Sequence, residues 1–213
     1  MRRPAQRAAL LLAGILAAVA GARPAAAQEL EPPRPRQGYY VAAGLLGSVQ
    51  HITDDGDRLG FWPGPAFSLR LGQLLTRRYG LGFQLDLAGG SKDGESSSAI
   101  GLGVGGQMVL VGNLALHAVL GLGVVSATRT DGNEEELRGA YGAAYTLGLS
   151  WDFFPRDCGQ SGGWALAPLV LVRAVPGDPL TAWSGMLGME VTWWSGLPRN
   201  QQDIPLERAF ERE

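Results

Sequence analysis

Tyr79-Gly80-Leu81-Gly82-Phe83-Gln84-Leu85-Asp86-Leu87 alternates without a break. The odd positions are large and apolar, and the even positions are glycine or polar. Successive residues of a β-strand point to opposite faces, so this stretch reads as a strand with one apolar face and one small or polar face. A helix would wrap the same residues around its whole circumference.

The rhythm recurs along most of the chain. Tyr141 to Phe153 sets Tyr, Ala, Tyr, Leu, Leu, Trp and Phe against Gly142, Ala144, Thr146, Gly148, Ser150 and Asp152. Trp183 to Trp193 sets Trp183, Leu187, Met189, Val191 and Trp193 against Ser184, Met186, Gly188, Glu190 and Thr192. Phe67–Leu71, Ile100–Leu110, Leu114–Val124 and Trp164–Val172 alternate in the same way, and the stretch near Gly38–Gln50 is less regular. The reading is eight strands, at 38–50, 64–75, 79–89, 97–112, 113–128, 138–154, 163–175 and 181–195. Most are longer than the ~5–6 residues usual in soluble sheets and reach the ~9–11 needed to cross a bilayer.

The expected fold class is all-β, an eight-stranded antiparallel up-and-down transmembrane β-barrel. With the N-terminus periplasmic, the connections 51–63, 90–96 and 129–137 are expected as long polar outer loops, and 76–78 and Gly112-Asn113 as tight periplasmic turns. The sixth connection (155–162) is longer than this asymmetry predicts. Aromatic rings favour the headgroup level of a membrane. Tyr39, Tyr40, Tyr79, Phe153, Phe154, Trp164, Trp193 and Trp194 are expected at the periplasmic rim. Phe61, Trp62, Tyr141 and Trp183 are expected at the outer rim.

Composition agrees. Glycine accounts for 32 of 213 residues and charged residues for 18%, against usual values of about 7% and about 25%. Residues 1–27 read as a cleaved secretory signal, with Arg2, Arg3 and Arg7 before the apolar run Ala8–Ala20 and a small-residue site at Ala25-Ala26-Ala27. Removing it lowers Lys plus Arg from 18 to 14 against 20 Asp plus Glu, a net charge of −6. That charge argues against a nucleic-acid partner. Residues 28–37 form a Pro-rich lead-in, 38–195 the barrel and 196–213 a polar tail. The lone Cys158 forms no intramolecular disulfide.

The strand pattern, the signal ending Ala25-Ala26-Ala27-Gln28, the Gly112-Asn113 turn and the pairs Tyr39-Tyr40 and Trp193-Trp194 resemble the small eight-stranded outer-membrane barrels of the OmpA/OmpX kind. The resemblance covers about 38–195 and lies in pattern. It implies a monomer in the outer membrane of a Gram-negative-type bacterium, in contact with outer-membrane lipid and lipopolysaccharide and inserted by the barrel-assembly machinery. One departure is that the last strand stops near Trp194 and polar sequence follows.

Two other readings of the uncharged stretch Ala99–Ala127 are weaker. Seven of its 29 residues are glycine, and each costs up to ~1 kcal/mol against alanine in a helix. Gly101–Gly106 (GLGVGG) matches a dinucleotide-binding glycine pattern, yet residues 118–128 carry no acid where that motif needs one.

The face opposite the apolar one carries Arg70, Gln84, Asp86, Gln107, His117, Asp152, Arg173 and Glu190. Inside a low-dielectric wall such groups must pair or meet water. A polar network that plugs the lumen is the first expectation, and a narrow porin-like path or small-ligand site the second. The inward glycines are expected to make room for longer neighbours. No cofactor, metal or catalytic set is expected. A lipid-modifying enzyme would need a histidine beside a serine, for which His51 with Ser48 and Asp54 or Asp55, and His117 with Ser126, are the candidates. A soluble ligand-binding barrel would put its apolar face inward. The outer connections hold ten acids, among them Asp54, Asp55, Asp57, Glu134, Glu135 and Glu136, against Arg58, Lys92, Arg129 and Arg138. Solvation is the plain reading, and divalent-cation bridging to lipopolysaccharide the alternative.

Overall fold

The computed structural model describes Arg36 and residues 38–54, 57–76, 78–92, 94–131, 134–154 and 162–196, with the side chains of 57–59 and 129–136 outside that set. The signal, most of the lead-in, Cys158 and residues 197–213 lie outside the described residues.

Eight strands run β1 (Tyr39–Asp54), β2 (Asp57–Leu74), β3 (Tyr79–Lys92), β4 (Glu95–Val111), β5 (Leu114–Asp131), β6 (Glu134–Trp151), β7 (Gly163–Pro176) and β8 (Leu180–Trp194). Each is antiparallel to the next, and β1 pairs with β8 to close the barrel. Closure leaves no sheet edge along the wall. The register sets Ala42 beside Arg70 on one side and Thr192 on the other. Gly112 turns β4 into β5 with φ of 53°, a left-handed conformation that glycine adopts at no steric cost.

The connections differ from expectation. What reads as long outer loops is mostly strand, since β1 continues to Asp54, β2 begins at Asp57, and the pairs Lys92–Glu95 and Asp131–Glu134 close the next two hairpins. The reason is chemical. Beyond the apolar band the outward residues become polar, so hydrophobic alternation vanishes although backbone pairing continues.

The apolar face points outward. Leu45, Leu120, Leu122 and Leu187 are 75%, 60%, 76% and 63% exposed. On β5 the outward residues stay apolar from Leu114 to Val124. That ten-residue step is about 34 Å of strand, or about 25 Å of height at the ~40° tilt of such barrels, which matches their apolar band. Above it, Ser98 hydrogen-bonds Ser126 and Ser96 hydrogen-bonds Thr128, each at 2.8 Å across the outer surface.

Tyr39, Tyr79, Tyr141, Phe153, Trp164, Trp183 and Trp193 are exposed at the band edges. Tyr40, Trp194 and Trp62 correct the expectation, being buried to 5%, 1% and 1%. In an extended strand two adjacent residues cannot share a face, so each aromatic pair sends one ring out and one in. Tyr40 packs on Trp194 with centroids 5.0 Å apart. A Cβ at Gly72 would lie 2.6 Å from the Tyr40 ring, and one at Gly123 2.8 Å from Val175. These inward glycines vacate the volume that their neighbours fill.

Candidate functional site

Every residue expected to point inward is buried: Arg70, Gln84, Asp86, Gln107, His117, Asp152, Arg173 and Glu190. They come from β2 to β5, β7, β8 and, for Asp152, the residue just past β6, so the polar network ties distant strands together. Apart from Arg173, it occupies the half of the lumen nearer the start of β1 and the end of β8, here called the terminal half. The opposite, far half is filled by Ile52, Trp62, Val125, Val175 and Leu180 among alanines.

Arg70 is the hub. Its Nε donates to Glu190 Oε2 at 2.9 Å and its Nη2 to Glu190 Oε1, a bidentate pair. Its Nη1 reaches His117 Nδ1, and His117 Nε2 lies 2.8 Å from Ser150 Oγ. A guanidinium only donates. His117 Nδ1 therefore accepts, and its Nε2–H donates to Ser150. This polarity is the reverse of nucleophile activation, where the ring nitrogen must take the serine proton. Thr192 adds a hydroxyl donor to Glu190 at 3.2 Å.

Arg173 extends from β7 across the lumen to β3 and β4, donating to the carbonyls of Asp86 at 2.9 Å and Ala99 at 3.0 Å. The Asp86 carboxylate accepts from Gln84 Nε2 at 2.9 Å and from Thr146 at 3.4 Å. The Gln107 carbonyl oxygen has no protein partner. Beside it, a cavity of about 10 Å³ is bordered by Arg70, Gln84 and His117. That is room for about one water and too little for a hydrated ion.

Sequence reasoning missed Arg36. The lead-in reads as a segment preceding the barrel, yet Arg36 is 1% exposed. Its Nε donates to Asp152 Oδ2 at 2.7 Å, its other nitrogens to the carbonyls of Gly112 and Asn113, and its guanidinium lies 5.8 Å from the centroid of Phe154. Burial lowers the Arg36 guanidinium from its ordinary value, with Asp152 opposing the shift. Burial pushes the Asp152 carboxyl up, and Arg36 pulls it back. With Arg36 counted, three arginines (36, 70, 173) face three carboxylates (Asp86, Asp152, Glu190) deep inside. Two Arg against three acids would leave a net buried charge, and Arg36 removes it. Gln50, fully buried at the level of Ser184 and Trp62, was also missed. Carrying the alternation of β1 through its irregular start would have placed it.

The histidine sets are not assembled. His51 faces outward, stacked on Phe61 at 4.7 Å, while Ser48 and Asp54 face inward. His117 faces inward and Ser126 outward. Asp54, expected in a solvated loop, is buried to 6% and paired with Arg138 across the far mouth. Among the described residues no three His, Cys, Asp or Glu side chains gather as a metal site.

No family model and no curated protein matches the sequence. Among solved structures, the chain is similar to Ail, the attachment invasion locus protein of Yersinia pestis, with a TM-score of 0.55 at 16% identity, covering 73% of this chain and 99% of that one. Ail in complex with the heparin analogue sucrose octasulfate gives a TM-score of 0.53 at 17% identity, with the same coverage. The N-terminal β-barrel domain of Pseudomonas aeruginosa OprF gives 0.47 at 13%, covering 73% and 98%. The chain has the fold of the small eight-stranded outer-membrane barrels.

Proposed function

We propose that the chain is a monomeric outer-membrane barrel with a closed lumen, a non-enzymatic scaffold that presents its far-end strand extensions outside the cell. The observation that carries this reading is the two-sidedness of the wall. The outward face is apolar over the height of a bilayer core, and the inward face holds a charge-balanced network whose cavity beside Gln107 has room for about one water. A soluble ligand-binding barrel would reverse the two faces. The polarity of the His117–Ser150 contact speaks against acyl chemistry in the lumen.

The far-end segments hold ten acids against four bases. That excess repels polysulfated sugars, so the ligand in the Ail complex does not carry over. It suits contact with lipopolysaccharide through divalent cations. Contact with the barrel-assembly machinery during insertion belongs to the same reading.

Single-channel recording in a planar bilayer tests the closed lumen. The wild-type chain is expected to show no discrete conductance, because the apolar far half closes the lumen independently of the polar half. Steady wild-type channels would replace the scaffold with the narrow-pore reading.

A further inference from the structure

Two apolar grooves lie side by side on the outer wall near the terminal end. One, of about 400 Å³, is floored by Gly106 and Ala118 and walled by Leu81, Met108 and Leu116. The other, of about 490 Å³, runs between Tyr39, Val41 and Leu71 on one side and Leu81, Phe83 and Val104 on the other. Both lie within the usual range for small-molecule sites, roughly 300–1,000 Å³. Leu81 borders both and forms the ridge between them.

The first groove exists because an outward position carries no side chain. Gly106 pairs with Leu81 and Ala118 in the wall. A Cβ there would meet only the Gly80 carbonyl oxygen, at 3.7 Å. A charged residue, Arg78, directly precedes Tyr79 of the lining in sequence and is exposed in the β2–β3 turn. Its carbonyl accepts from the Val109 N–H at 2.8 Å. The Thr76 hydroxyl holds the turn by accepting from the N–H groups of Arg78 and Tyr79, at 3.2 and 3.0 Å.

We propose that this face binds one two-chain phospholipid of the periplasmic leaflet, with an acyl chain on each side of Leu81 and the phosphate on Arg78. The inference rests on the outer-membrane reading. Three observations select the occupant. Paired grooves on one ridge fit two chains. An exposed arginine one residue from Tyr79 of the lining suits a phosphate, which arginine can grip with two parallel hydrogen bonds. Tyr39 and Tyr79, exposed in the two linings, lie where tyrosine meets headgroups. The linings lie at the terminal ends of β1 to β5, which on the outer-membrane reading selects the periplasmic leaflet.

The test is native mass spectrometry of the mature chain in detergent micelles with added dioleoyl phosphatidylglycerol. One retained lipid is expected. Gly106→Leu, whose Cβ meets nothing closer than the Gly80 carbonyl oxygen at 3.7 Å, and Arg78→Gln are each expected to cut retention several-fold. Leu122→Ala, elsewhere on the apolar band, is expected to leave it unchanged. The one-chain lysophosphatidylglycerol is expected to be retained several-fold less than the two-chain lipid. Equal retention by the groove variants and wild type, or an equal loss in Leu122→Ala, overturns the proposal. The same samples are run heated and unheated on a denaturing gel. A chain without a heat-dependent shift fails the membrane reading, whereas one that shifts but holds no lipid fails only this proposal.

Discussion

The two halves of the lumen solve one problem in different ways. Both must fill a narrow interior behind a wall of alternating residues. The far half does it by volume, with Ile52, Trp62, Val175 and Leu180 interlocked with alanines. The terminal half does it by pairing, with Arg36 on Asp152 and Arg70 on Glu190 and His117, while Arg173 reaches from near the far end of β7 to the Asp86 and Ala99 carbonyls between the two. An apolar plug needs only complementary shape. A polar plug also needs every charge answered, because an ion left alone in a low-dielectric interior costs far more than a lost contact. The terminal half is therefore the more easily broken by one substitution, and the more rigid when intact.

The largest expected effect lies there. Arg70→Met strands Glu190 and removes the donor on His117, for a loss of about 3–5 kcal/mol by urea unfolding in micelles. Replacing both partners, Arg70→Met with Glu190→Leu, should restore most of it, because no charge is left unanswered. A double variant as unstable as the single one would mean that the network acts through packing alone.

The far half is expected to respond less to its own truncation. Leu180→Ala should cost about 2–5 kcal/mol, according to how far the neighbouring alanines collapse into the space. Its partner across the β1–β8 pairing is Asp54, itself paired with Arg138, so the loss is read at a fixed pH of 7.

Arg36→Gln gives the smallest effect and the sharpest contrast. Asp152 titrates above its ordinary value because it is buried, and Arg36 limits the rise. Without Arg36 the rise is larger. A raised folded-state value contributes stability that is complete below the unfolded value and is lost as pH rises through the folded one. The variant should thus be less stable than wild type at pH 7, by about 1–3 kcal/mol for a buried polar group left unanswered. The gap should narrow as pH falls toward about 4, the ordinary carboxyl value. A gap that is constant with pH would show that Arg36 acts through the Gly112 and Asn113 carbonyls alone.

The wall was legible because hydrophobicity reports strand phase wherever one face meets apolar surroundings. All eight strands, and the burial of the inward polar residues from Arg70 to Glu190, follow from period two. Legibility failed where that contrast fades. Past Ser98 and Ser126 the outward face is polar and the inward one holds small residues such as Ser97 and Ala127, so strand reads as loop. At Tyr40, Trp62 and Trp194 an aromatic suits either face, and only counting along the strand assigns it. Arg36 left no periodic signal, because its place depends on a carboxylate 116 positions away in sequence. A count of inward charges would have shown one arginine lacking.

The most direct measurement of the central claim, a closed barrel embedded in the outer membrane, is electrophoresis of the outer-membrane fraction with and without heating. A closed sheet resists detergent until heated, so the unheated chain should run at a different apparent mass from the heated one. A chain found soluble in the periplasm, with no shift on heating, would contradict the account, and its outward leucines would have to be the buried face of something else.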